Sequence, residues 1–146
     1  MLKVLVSMSL LALTGAPAFA GEPTEIVRAF YAAPGSETMP ENRAKLTGPL
    51  LDLLKASEEA WDRDETVCLD FAFSIDAQDF DQEEITRSLK LDETVSGETA
   101  RVTANFTNFG NPTTVEWTLV HSTSGWLVSD IASPTSDWRA STVTCE

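Results

Sequence analysis

The feature that most constrains this chain is a change of hydrophobic period near Thr66. Before it, apolar residues recur every three or four positions; after it, they alternate. PTEIVRAFYAA places Ile26, Val27, Phe30 and Tyr31 on one face. Pro23 suits a first helical turn, and Glu25 lies near the positive end of the helix dipole. This predicts a helix ended by Pro34-Gly35. Thr38-Met39-Pro40-Glu41 has the Thr-x-x-Glu form of a capping box and predicts a short helix to about Leu46. After Thr47-Gly48-Pro49, Leu50, Leu53, Leu54, Ser57 and Trp61 repeat at helical spacing. Asp52, Lys55, Glu58, Glu59 and Asp62 take the opposite face, so this helix lies on something apolar.

Beyond Thr66 the period is two. Leu69, Phe71, Phe73 and Ile75 alternate with Cys68, Asp70, Ala72, Ser74 and Asp76, which predicts a strand. Ile85, Arg87, Leu89 and Leu91 alternate with Thr86, Ser88 and Lys90, which predicts another. Val95-Ser96-Gly97-Glu98 is a turn, and Ala100, Val102, Ala104 and Phe106 then share a face. Phe109-Gly110-Asn111-Pro112 turns again, followed by Val115, Trp117, Leu119 and His121 on one side. Ser122 to Gly125 is the next turn, and WLVSDIA the last clear strand. Helices first, then an antiparallel meander, give a single α+β domain.

The first twenty residues read as a signal peptide rather than as part of that domain. Lys3 precedes an apolar run from Val4 to about Leu13, and Ala18-Phe19-Ala20 supplies a small-residue cleavage site after Ala20. The run is shorter than the about 20 residues a membrane span needs, so no stable insertion is expected after cleavage. The domain is expected to occupy residues 21–146, exported to the periplasm or the extracellular space. Without Lys3, nine basic side chains face 23 acidic ones, a net charge near −14. Nucleic acid is excluded as a partner, because phosphate recognition needs a basic face. An anionic membrane surface is disfavoured for the same reason. Cys68 and Cys145 form an even pair, which in an exported chain predicts a disulfide. Closing so long a loop is worth about 4–5 kcal/mol in the chain-entropy picture.

Several motifs together resemble a known family. They are Phe30-Tyr31, Leu46-Thr47, Ala77-Gln78-Asp79, the Ala-x-Val-x-x-x-Phe of Ala100 to Phe106, and the Gly-Trp-x-Val-x-Asp-Ile of Gly125 to Ile131. Over about residues 23–133 the chain resembles domain-of-unknown-function family 3828, exported bacterial proteins similar to the nuclear transport factor 2-like superfold. The resemblance implies a cone: N-terminal helices packed in a curved antiparallel sheet, with a pocket at the wide end. It implies little about activity, since that superfold hosts isomerases, dehydratases, carriers and interaction domains.

Three chemistries can be weighed on the residues. Asp76, Asp79, Asp81, Glu83 and Glu84 crowd one short stretch, with Asp79-x-Asp81-x-Glu83 spaced as in a calcium loop. Glu84 stands where that loop needs glycine, and Lys90 where it needs a bidentate acid, so no metal site is expected. Gln78 and Asp79 instead read as turn-fixing residues, with Asp79→Ala expected to remove about 1 kcal/mol of stability as a lost cap. Acid–base catalysis would need a carboxylate in an apolar pocket and a donor beside it. Asp130 shares the Trp126/Val128 side of its strand by alternation, Tyr31 lies on an apolar helix face, and His121 shares a face with Trp117 and Leu119. These three are the catalytic candidates.

Binding is the third chemistry. Phe30, Tyr31, Trp61, Trp117 and Trp126 are the residues a cone pocket would be lined with. The polar row Arg101, Thr103, Asn105 and Thr107 could serve as an interaction surface. The sequence therefore predicts a cofactor-free, non-catalytic binding domain for a small apolar ligand or a basic envelope protein. The alternative is a cone-pocket acid–base enzyme of isomerase or dehydratase type using Asp130, His121 or Tyr31.

Overall fold

The hairpins form where the alternation places them. The computed structural model describes residues 22–145, so the predicted signal peptide lies outside the described residues. Strands β1 (Lys90–Ser96), β2 (Thr99–Asn108), β3 (Asn111–Ser122), β4 (Gly125–Ser133) and the two-residue β5 (Trp138–Arg139) make an antiparallel sheet in sequence order. Its inner face is apolar: Ala100, Val102, Ala104 and Phe106 of β2, Val115, Trp117 and Leu119 of β3, and Val128 and Ile131 of β4 are buried. Helices α1 (Glu22–Tyr31), α2 (Gly48–Asp64) and α3 (Gln82–Ser88) bring Val27, Phe30, Tyr31, Leu50, Leu53, Leu54 and Ile85 into the same core cluster. The sheet contributes a Glu93 carboxylate to the start of α1, where Oε2 accepts the Thr24 amide (2.9 Å) and hydroxyl (2.6 Å). The domain is thus α+β, with helices on an antiparallel sheet.

Three local expectations are corrected. The segment 69–75 is not a strand. Phe73, Ser74 and Ile75 are buried consecutively, which a strand with one buried face does not permit, and Asp76 turns the chain at φ 55°. A single bridge, Ala72 to Ala77, closes that turn. The predicted strand over 85–91 begins instead as α3. Asp81 caps it by accepting the Glu84 amide (3.0 Å), Ile85 is its buried residue, and β1 starts only at Lys90. Finally, Thr38 does not open a capping box. Residues Pro40–Lys45 form a 3₁₀ helix whose N-cap, Met39, has no side-chain cap bond, and the Thr38 hydroxyl donates back to the Gly35 carbonyl (2.8 Å).

One irregularity in the sheet decides where a functional candidate ends up. The β3–β4 register shifts between Thr118 and Leu119: Leu119 pairs with Val128, but Thr118 pairs with Asp130. Ser129 is therefore an extra residue, a bulge. A bulge reverses side-chain parity beyond it. Val128 and Ile131 both stay on the core face, opposite Leu119 and Trp117, while Asp130 moves to the other face with Thr118.

Candidate functional site

Among the described residues a hollow opens at the end of α2. There Glu65 takes a left-handed conformation (φ 60°) and its amide donates to the Trp61 carbonyl (2.8 Å), which ends the helix. Asp64 accepts the Thr66 amide (3.1 Å) and hydroxyl, reversing the chain. The Thr66 hydroxyl, with help from Arg63, holds the Asp64 carboxyl below the usual carboxylate range. The returning strand of loop, Thr66 to Leu69, is pinned by the Cys68–Cys145 disulfide (Cα–Cα 5.4 Å). Between helix and loop lies a groove of about 400 Å³ lined by Ser57, Trp61, Asp62, Val67, Cys68 and Leu69 among others. On the far side of the disulfide a second depression of about 370 Å³ runs between α2 and Val143–Cys145. Cys68 lines the first and Cys145 the second, so the disulfide joins their walls.

The groove joins apolar surface to acid. Trp61 is 53 % exposed and Val67 64 % exposed. Glu58 and Asp62 line the groove with them, and Glu59, Asp64 and Glu65 follow in the same stretch of chain. Arg43 pairs with Glu58, and Arg63 with Asp64 at 3.2 Å, while Glu59, Asp62 and Glu65 make no ion pair among the described residues. Trp61 was expected on the stripe of Leu50, Leu53 and Leu54. Ala60 occupies that buried place instead, letting the helix sit close and turning Trp61 about 100° outward.

The catalytic candidates fall in three unlike settings. Tyr31 is in the closed core: its hydroxyl accepts the Trp117 indole N–H (3.2 Å), and burial pushes its pKa far upward. Asp130 does not face the helix-covered core, because the bulge turns it to the other face of the sheet, where it is still buried. There it accepts from the Ser141 amide (3.0 Å), the Ser141 hydroxyl (2.8 Å) and the Arg139 guanidinium (3.0 Å), fastening the C-terminal segment that carries Cys145. His121 lies exposed at the end of β3, with its ring edge-on to Trp126 at 5.0 Å. No hydrogen bond joins any two of the three.

The pocket candidates divide similarly. Phe30 stacks on Trp117 (centroids 5.3 Å, 14°), and Tyr31 meets Trp117 and Phe106 edge-on at 5.9 and 5.5 Å. These rings pack on one another as core, Trp126 is half-buried against that core, and Trp61 lines the groove. The acidic stretch is mostly structural. Asp76 accepts the Trp138 indole (2.6 Å) and the Ser133 hydroxyl (2.6 Å); Asp81 caps α3; Glu84 accepts the Gly110 amide (3.1 Å). Among the described residues no group of three His, Cys, Asp or Glu is placed to hold a metal. The polar row of β2 lies on the outer face, as alternation predicts.

Sequence reasoning missed two features. Val67 gave no signal beyond being apolar beside a cysteine. Glu37 reads as an ordinary surface acid, yet it is fully buried; Oε1 accepts the Ser74 amide (2.9 Å), Oε2 has no partner, and burial raises its pKa.

No family model matches the chain, and no curated protein matches it. Two solved structures share its fold. One is a chain of the type VI native effector–immunity complex Tae3–Tai3 from Ralstonia pickettii, at a TM-score of 0.57 and 14 % identity, covering 77 % of this chain and 94 % of that one. The other is a chain of the SeMet form of the same complex, at a TM-score of 0.54 and 15 % identity, covering 77 % and 97 %. At such identity the likeness is one of fold. Together, fold and groove define an α+β domain with a disulfide-braced, acidic, partly apolar surface, and it shares its architecture with a chain found in an effector–immunity pair.

Proposed function

We propose that this chain is an exported, non-catalytic protein-binding domain that seats a basic protein of the same compartment on the Trp61 groove. The observation that carries the reading is Trp61 itself, a tryptophan half in water in a groove that Glu58 and Asp62 also line. Tryptophan anchors of this kind dominate binding energy when a partner covers them. A net charge of −13 favours a cationic partner and speeds its encounter. The disulfide supports an oxidising compartment, and among the described residues no helix is long and apolar enough to cross a membrane. The Tae3–Tai3 complex pairs two proteins, and a role of immunity type, holding an effector-like partner, fits an acidic chain whose two cysteines are bonded to each other. Kinship with domain-of-unknown-function family 3828, and a cone-shaped sheet, rest on the quoted motifs and on a meander that gathers its helices into one core.

The test is photo-crosslinking. Trp61→p-benzoylphenylalanine, irradiated in intact producing cells, is expected to capture a basic exported protein identifiable by mass spectrometry. The purified partner should then bind Trp61→Ala at least about tenfold more weakly, with an unchanged melting temperature. Absence of any adduct, or equal binding by the variant, overturns the reading.

A further inference from the structure

A second pair of exposed apolar side chains, both aromatic, lies outside the groove, at the tip of the β2–β3 hairpin and in the segment fastened to it. Phe109 is 61 % exposed and Phe80 40 % exposed. They belong to segments fastened to each other. The Asp81 amide donates to Asn108 Oδ1 (3.0 Å), Asn108 Nδ2 donates to the Asp79 carbonyl (3.1 Å), and the Gly110 amide donates to Glu84 (3.1 Å). The hairpin turn has Phe109 at φ 48° and Gly110 at φ 76°, the paired left-handed conformations that asparagine and glycine favour. An aromatic there is strained, and more than half of it remains in water. The hydrogen bonds of the tip come from Asn108, Asp81 and Glu84, so the two rings are free for another task.

We infer that the Phe80–Phe109 tip is a second docking surface, and that its occupant is a basic protein presenting an apolar pocket rimmed by lysine or arginine. This rests on the protein-binding reading above and extends it to a two-point grip by one partner. Charge complementarity selects the occupant. Asp79 precedes Phe80 and Glu83 lies in the first turn of α3; both are exposed and use their carboxylates in no hydrogen bond or ion pair among the described residues. Arg87 is the only basic residue on α3, in its last turn. A second copy of so acidic a chain would be repelled from the same tip.

Phe109→p-benzoylphenylalanine is the test, irradiated in parallel with the Trp61 derivative. The expected result is an adduct at 109 containing the same basic protein as that at 61. Phe109→Gly suits φ 48° and leaves the turn intact, so the variant folds; it should weaken the purified complex about tenfold or more. Glu83→Lys should weaken it too and flatten its salt dependence. An adduct at 61 with none at 109, a crosslinked homodimer, or unchanged affinity for Phe109→Gly overturns the second surface and leaves the groove standing. No adduct at either position overturns both. An adduct at 109 alone removes the groove and overturns the two-point grip with it.

Discussion

Two tryptophans in this chain have opposite fates. Trp117 is fully buried, stacked on Phe30, and bonded through its indole N–H to Tyr31. Trp61 is half exposed above a groove, and no ring–ring contact fixes it among the described residues. Both sit at positions that a hydrophobic period assigns to the interior. The difference lies in their neighbours. β3 alternates strictly, so Trp117 has no competitor for the core face. On α2, Ala60 and Trp61 compete for the same turn, and the smaller residue wins because it allows closer approach. The closed region makes the fold, and the open one is left for recognition.

The sharpest way to break this comparison is to truncate both. Trp117→Ala should lose about 3–5 kcal/mol of stability, because it leaves a cavity among Phe30, Tyr31 and the sheet. Trp61→Ala should change stability by no more than about 0.5 kcal/mol. Urea unfolding of both variants at one ionic strength decides it. A Trp61→Ala loss comparable to that of Trp117→Ala would make the groove part of the core and end the functional reading.

A smaller effect tests how closed the closed region is. Glu37 is buried with one oxygen unpartnered, and burial raises its pKa. In the unfolded chain it ionises near the usual carboxylate value, so above that pH the folded state holds a proton that the unfolded state has lost. Stability therefore falls as pH rises from the usual carboxylate range to the raised folded value, by at most about 1.4 kcal/mol per pH unit. Glu37→Gln keeps an acceptor for the Ser74 amide and removes the titration. Compared with wild type, it should gain stability at pH 7 and little at pH 4. Urea midpoints at pH 4, 5.5 and 7 measure the gain. A gain independent of pH would show that water reaches Glu37.

Legibility in the sequence follows the same division. Strands β2 and β3 were readable because each buries one face, and period two is what that burial imposes; β4 is buried without a break from Val128 to Ser133 and was readable from its apolar residues and the turn before it. The 85–91 stretch satisfied the same pattern and misled, because only Ile85 needed burial and the cap at Asp81 could hold a short helix. The Asp81-x-x-Glu84 spacing is the local signal of that cap, and the expectation of a strand did not use it. The outward turn of Asp130 was not legible at all. It depends on the bulge at Ser129, which is decided by pairing with β3 rather than by anything local to β4. Of the groove, the sequence announced Trp61 and Cys68 but not their meeting, which the left-handed Glu65 and the disulfide bring about.

The smallest effect separates two neighbouring acids of the open tip. Asp79 was expected to cap the turn, yet only its carbonyl is engaged, by Asn108. Asp81 is the cap, accepting the Glu84 amide at 3.0 Å. Asp81→Ala should therefore cost about 1 kcal/mol. Asp79→Ala should fall within about 0.5 kcal/mol of wild type, since its carboxylate holds nothing in place. Thermal melts of the two single variants in low salt read the difference. If Asp79→Ala proves the more damaging, its carboxylate is structural. The tip would then lose one of the two charges that suit it to a basic partner, and the contrast between a bonded interior and an uncommitted edge would shrink to the Trp61 groove alone.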